Sequence, residues 1–325
     1  MNNFRVCAIL LINLALPDAV HARQADGMTY GLYYKTPVLH SGVAGNSLCL
    51  TASDAKDGDT YAHIEKVFGK GAVEAPSDDM YVPPRPHVSI GRNDALVGDY
   101  FSIMANEMAD VNLDKKSRQQ GSDRSRTEIK IAPSKGGMHE AFKARDNDVF
   151  NYRWQFRVAA QMKFSPSFTH IHQIKAYGGS YAEPPLITFT VLNDGKLYVR
   201  HIADKLTEGG HFSILGSFDL AALAGQWLDV REEIHYSNTD ARYQLLIRDQ
   251  QGRPVLNIDR SGLSFWRTGA DHMRPKWGIY RKHHPDLRQD AEDLVDVANL
   301  AITRGGDGGG AYCGVTEQGA MPAQK

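Results

Sequence analysis

The chain has 325 residues, 37 Lys and Arg against 38 Asp and Glu, and 42% hydrophobic residues, a composition that supports a buried core and is too apolar for a disordered polymer. A formal net charge of −1 argues against nucleic-acid binding through bulk positive charge, so an acidic partner has to be met by a local cluster of bases.

In chain order, the first feature is Arg5 followed by the apolar run Val6 to Leu16 and then Val20-His21-Ala22, the pattern of a secretory signal with its cleavage site. The run is 11 residues long, whereas a bilayer span needs about 20. Residues 1–22 are therefore expected to be a signal peptide. The mature chain would begin near Arg23, be secreted or periplasmic, and have no membrane attachment. Cys7 leaves with the signal, so Cys49 and Cys313 remain, and an oxidising compartment would favour a disulfide between them.

Residues 23–96 mix Gly, Asp, Ser and Pro with little periodicity, apart from the aromatic stretch Tyr30 to Tyr34 and a short helix expected around Ala62 to Phe68. They read as an irregular N-terminal segment packed on a core, with Pro83-Pro84-Arg85-Pro86 as an extended connection. From 97 to 304 period-two runs follow one another, most clearly Tyr152-Arg153-Trp154-Gln155-Phe156-Arg157-Val158. Further strands are expected at 126–132, 168–176, 186–192, 196–202, 227–236, 242–249, 254–259, 274–281 and 295–303, separated by turns such as Asn193-Asp194-Gly195. The fold class is all-β, two antiparallel sheets forming a sandwich or β-jelly roll. Residues 305–325 read as a Gly-rich tail, and a monomer is expected.

The Gly-x-Ser-x-Gly elbow, the phosphate loop and His-Glu-x-x-His are all missing. His170-Ile171-His172 has the spacing of two metal ligands but lacks a third, so no metal site is read and no cofactor is required. The acidic loop around Asp54, Asp57 and Asp59 leaves structural calcium open.

Three strands carry polar residues in an otherwise buried setting. In Arg126-Thr127-Glu128-Ile129-Lys130-Ile131, period two puts Arg126, Glu128 and Lys130 on one face. In Phe168 to Ala176, Gln173 and Lys175 share a face with Ile171, while His170 and His172 share the other with Ile174. In Arg274 to Lys282, Lys276, Gly278, Tyr280 and Lys282 point one way, Trp277 and Ile279 the other.

Together these segments resemble the jelly-roll polysaccharide lyases, the group of alginate, glucuronan and one class of heparin lyases. The alginate-lyase pattern runs Arg-Thr/Ser-Glu-x-Arg, Gln-Ile/Val-His and Tyr-Phe-Lys-Ala-Gly-x-Tyr. This chain has Arg126-Thr127-Glu128-Ile129-Lys130, Gln173-Ile174-Lys175 and Lys276-Trp277-Gly278-Ile279-Tyr280 in that order. The resemblance implies a groove for an anionic polysaccharide and cleavage by β-elimination. Arg126 and Gln173 would bind the uronate carboxylate, with Glu128, Lys130 and Lys276 in the same binding set. Tyr280 would protonate the leaving oxygen. The family's His two places after Gln is Lys175 here, a clamp or a base of lowered pKa, which leaves His172, Tyr280 and His139 as further candidates for the base. It also puts glucuronate chains slightly ahead of alginate. The rival reading is a non-catalytic carbohydrate-binding jelly roll that stacks sugars on Tyr177, Tyr181, Tyr198 or Trp227. A retaining hydrolase is disfavoured because Asp229-Val230-Arg231-Glu232-Glu233 lacks the Glu-x-Asp-x-Glu spacing.

Overall fold

The computed structural model describes residues 40–76, 86–106, 123–205, 209–287 and 292–306, all within the compact unit that begins at Leu32. The signal segment, the aromatic stretch Tyr30 to Tyr34 and Cys313 lie outside the described residues, and with Cys313 so does its pairing with Cys49.

In chain order the elements are β1 (Gly42–Ala44), β2 (Ser47–Leu50), α1 (Thr60–Phe68), β3 (Val73–Glu74), β4 (Val88–Asp94), β5 (Gly98–Ala105) and β6 (Arg124–Lys130). Then come β7 (Val149–Val158), β8 (Thr169–Tyr177), β9 (Ile187–Val191), β10 (Lys196–Ile202) and β11 (Phe212–Asp219). The chain continues through β12 (Leu228–His235), β13 (Arg242–Arg248), β14 (Pro254–Ser261), β15 (His272–Lys282) and β16 (Asp293–Arg304).

They form two antiparallel sheets, the jelly roll expected from the strand pattern. One has the order β1-β2-β16-β7-β12-β13-β14, with the β4-β5 hairpin added along the first half of β16. The other runs β11-β10-β9-β8-β15-β6-β3. The alternation legible in the sequence is the alternation of burial: Tyr152, Trp154, Phe156 and Val158 of β7 are buried while Arg153 and Arg157 are not. Between the sheets Trp154 of β7 meets Trp277 of β15 with ring centroids 6.4 Å apart and Phe189 of β9 at 5.9 Å, so the second sheet rests on large aromatic side chains. Tight hairpins keep neighbours in register; β9 and β10 are joined at Asn193-Asp194-Gly195, where Gly195 takes φ +77° that other residues reach only with strain.

The described part of residues 23–96, a segment read as irregular, carries more order than its sequence suggests. The helix is there as α1, and β2 pairs with the second half of β16 while β3 closes the edge of the other sheet on β6. Strands of two to four residues cannot build a recognisable alternation, so their partners decide them. The strand β11 is likewise absent from the sequence pattern, because Gly216 and two serines interrupt it and its large apolar residues, Phe212 and Ile214, face outward.

Candidate active site

Cross-strand register, more than chain order, assembles the site. Residues directly opposite one another share a face of the sheet, and two such rows cross the second sheet. One runs from Arg126 (β6) to Tyr280 (β15), His170 (β8), Thr190 (β9) and Tyr198 (β10). The other runs from Lys130 (β6) to Lys276 (β15), Gln173 (β8), Thr188 (β9) and Arg200 (β10). Both lie on the face turned away from the core.

The two rows stand four residues apart on β6 and β15, three apart on β8 and two apart on β9. Irregularities absorb the difference: the register shifts between His170 and His172 against β9, and between Trp277 and Tyr280 against β8. The bulge at Ile171 reverses the expected faces, since each extra residue flips every side chain beyond it. His170 joins Gln173 and Lys175 on the outer face. His172 turns into the core, where Nδ1 donates to the Lys276 carbonyl at 2.9 Å and Nε2 meets Glu232 at 3.0 Å. Between Tyr280 and Lys276 on β15 sits Gly278 with φ +139°; a Cβ there would collide with the Thr127 carbonyl oxygen. The floor between the rows is therefore bare backbone.

Charge on this face is largely organised by two carboxylates. Glu74 of β3 contacts Lys276 at 2.5 Å, Arg126 at 3.4 Å and Lys130. Glu128 contacts Lys276 at 3.1 Å and Arg126 at 3.4 Å and accepts a hydrogen bond from the Gln173 amide. Burial would raise the Glu74 carboxyl, but Lys276, Lys130 and Arg126 overcome it and hold the group well below the usual carboxylate range. Burial pushes the Lys130 ammonium down against the pull of Glu74. For Arg126 burial is outweighed by Glu128, Glu74 and Tyr280, and the guanidinium is held more firmly charged.

Beside this network opens a pocket of about 280 Å³ lined by Arg124, Phe168, His170, Gln173, Lys175, Glu183, Pro184, Pro185 and Tyr280. The Tyr280 hydroxyl accepts a hydrogen bond from Arg124 at 2.8 Å, and the Arg126 guanidinium lies 4.0 Å from the Tyr280 ring centre. Phe168 stacks on His170 at 4.6 Å and meets the edge of Tyr280 at 5.4 Å, so one ring props both. His170 Nδ1 is bonded to the Thr190 hydroxyl at 2.9 Å, which in turn contacts Thr188 at 2.7 Å. Burial, with Arg200, Arg124, Arg126 and Lys175 adding to it, draws the His170 pKa down to about 3, so the imidazole is neutral at ordinary pH. Lys175 is also lowered, by burial and by Lys276 and Arg126, while Glu183 at 3.4 Å opposes the shift. A neutral imidazole and a phenol thus face each other in a pocket ringed by cations, equipped to take a proton from, and give one to, an anionic ligand.

The residues singled out in the sequence are mostly brought together here: Tyr280, Lys175 and Gln173 line the pocket, and Arg126, Glu128, Lys130 and Lys276 form the ion network beside it. His172 is not among them, being fully buried between the sheets; its neighbour on the same strand, His170, lines the pocket instead. His139 is buried against the Ser134 carbonyl at 3.0 Å and does not line the pocket. Trp227, offered as a sugar platform, is buried with its indole N–H on Asp94 at 3.0 Å. In the acidic loop, Asp57 is taken by Arg92 at 2.8 Å and Asp54 by His40 at 3.0 Å, and among the described residues no group of three or more His, Cys, Asp or Glu could hold a metal ion. Three contributors are not evident from the sequence motifs. Arg124 lies one period-two step before Arg126 and could be found by extending that strand backwards. Glu74 sits on a two-residue strand with no local signal, and the face of His170 depends on a bulge.

A family model described as polysaccharide lyase matches residues 92–295. No curated protein matches the chain. Among solved structures, the chain is similar to alginate lyase Aly36B at 13% identity and TM-score 0.48, covering 79% of this chain and 96% of that one. It is also similar to the family 7 alginate lyase A1-II' in complex with substrate, at 12% identity and TM-score 0.45, over 71% of this chain and 91% of that one. For alginate lyase AlgAT5 of polysaccharide lyase family 7 the values are 16% identity and TM-score 0.42, over 70% and 86%. Since the family model spans well over half of the sequence and falls on the strands that build the pocket, the chain belongs to the polysaccharide lyase family.

Proposed function

We propose that this polysaccharide lyase cleaves a uronate-containing polysaccharide by β-elimination, with His170 as base and Tyr280 as acid. The observation that carries the reading is the opposition of these two groups on β8 and β15 across the cation-lined pocket. Gln173, Lys175 and Arg124, which line it, hold the C6 carboxylate of the sugar, and Arg126 and Lys276 supply positive field from behind. A neutralised carboxylate makes the C5 proton acidic. His170 takes that proton, the C5–H electron pair becomes the C4–C5 double bond, and O4 leaves with its bonding pair and receives the Tyr280 proton. The lysine at position 175 is a stronger carboxylate clamp than a histidine, which supports glucuronate chains slightly ahead of alginate. The signal read at residues 1–22 supports a secreted or periplasmic enzyme, where such polymers are met.

The test is the ultraviolet absorbance of the unsaturated uronate product when the chain from Arg23 onward is mixed with glucuronan, alginate, heparin-type and pectic chains. A rise on one polymer that vanishes in Tyr280→Phe is the expected result. No rise on any of them, or an undiminished rate in Tyr280→Phe, overturns the reading.

A further inference from the structure

The row Lys130, Lys276, Gln173, Thr188 does not stop at the pocket. It continues to Arg200 on β10 and to Ile214 on β11. Most cations nearer the pocket have a carboxylate: Arg126, Lys130 and Lys276 share Glu74 and Glu128, and Lys175 has Glu183. Arg200 differs. It is half-buried, and among the described residues its buried Nε has no hydrogen-bond partner and no carboxylate pairs with it. The acid that influences it, Asp194, is engaged by the Tyr198 hydroxyl at 2.7 Å and the Lys196 amide at 3.0 Å. The guanidinium lies 5.5 Å from the ring centre of Phe212 and 5.9 Å from that of Tyr198. Phe212 is 55% exposed and Ile214 52%, so a cation stands beside an open apolar ledge.

That combination suits an acidic sugar, whose ring presents C–H faces to an aromatic side chain and whose carboxylate matches the planar fork of arginine. β10 is two strand spacings from β8, roughly 10 Å, so the ledge lies along the course of a polymer threaded over His170. We propose that Arg200, with Phe212 and Ile214 beside it, forms a second carboxylate subsite that holds a neighbouring uronate of the same chain. This rests on the lyase reading above and adds to it a reason for preferring long, continuously charged substrates.

Occupancy would also act on the base. After burial, Arg200 is the largest influence holding His170 neutral, ahead of Arg124 and Arg126 from β6 and Lys175 from β8, with Tyr280 facing it from β15 and Thr190 from β9. A substrate carboxylate on Arg200 cancels that charge and raises the affinity of His170 for the C5 proton just when the chain is in place.

The experiment compares the full mature chain with Arg200→Gln, Arg200→Lys and Phe212→Ala on the polymer that wild type cleaves and on the shortest oligomer it cleaves, with melting curves to confirm folding. Arg200→Gln is expected to raise KM for the polymer about tenfold, with a smaller effect on kcat. The advantage of polymer over short oligomer should shrink, Arg200→Lys should restore part of it, and Phe212→Ala should raise KM severalfold. The acid limb of the kcat/KM profile should move to higher pH in Arg200→Gln, which a purely structural role would not do. A polymer KM within about twofold of wild type, or an equal loss on the shortest oligomer, overturns the subsite. A wild type that makes no unsaturated product defeats the lyase reading instead. Calorimetric titration with uronate oligomers then decides the subsite: weaker binding by Arg200→Gln supports it, and equal binding overturns it.

Discussion

His170 and Tyr280 lie opposite each other on adjacent strands, their ring centres 5.8 Å apart, with Phe168 in contact with both. Groups that act on one transition state as a unit lose their joint effect when either is removed. Tyr280→Phe and His170→Ala should each lower kcat by about 10²- to 10⁴-fold. The double variant should be no worse than the poorer single one, which initial rates of unsaturated-product formation will show.

The other histidine of the same strand should behave in the opposite way. His172 joins the two sheets through Glu232, whose second oxygen accepts the Tyr243 hydroxyl at 2.8 Å. Removing His172 leaves a buried acid short of its partner, a change that costs about 3–5 kcal/mol. Urea denaturation of His172→Ala should show that loss, whereas His170→Ala, partly buried at the rim of the pocket, should unfold close to wild type.

Acidification should weaken the fold before carboxylates titrate. Burial holds the imidazoles of His201 and His272 down to about 4 and that of His170 to about 3, against an ordinary value of 6.5. For groups lowered in this way, the unfolded chain binds protons that the folded one refuses, so stability is full above pH 6.5 and falls as pH drops toward 4, then 3. Glu74, lowered by its three cations, adds to the fall below its ordinary value of 4.5. Denaturant midpoints should be level from about pH 7.5 down to 6.5 and decline from there to about pH 4.5, and Glu74→Gln should not abolish the upper part of the decline.

Gly278 admits no side chain: its φ of +139° and the Thr127 carbonyl oxygen standing where a Cβ would go act together. Gly278→Ala should cost about 1–3 kcal/mol in backbone strain alone, read as a lowered melting temperature. Because the substitution pushes β15 off β6, it should also separate Tyr280 from Arg126 and reduce turnover of the protein that remains folded.

Much of this arrangement is legible in the sequence because period two is a strict rule. The sharing of one side of β6 by Arg126, Glu128 and Lys130, and of one side of β15 by Lys276, Gly278 and Tyr280, comes from alternation alone, and the register sets the two on the same face of the sheet. The same rule fails on β8, since one extra residue at Ile171 exchanges the faces of everything beyond it, and an apolar isoleucine flanked by two histidines carries no mark of a bulge. Glu74 is illegible for a different reason. Its position depends on a contact with residues some two hundred places away in the chain, which no local pattern encodes. His172 illustrates the ordinary fate of a histidine on a buried strand, satisfied by backbone and an acid.

The short edge strand β3 sets a limit on how the enzyme can be cut down. A fragment bounded by the family match at 92 and 295 would discard Glu74, β2 and most of β16, from Asp296 onward. Among the described residues Lys276 would keep Glu128 alone as a counter-charge, Lys130 would lose its acid, and the first sheet would lose the buried core residues Leu300 and Ile302. The folded unit is therefore larger than the matched segment, and Glu74, which lies ahead of it, supplies counter-charge to three cations of the site.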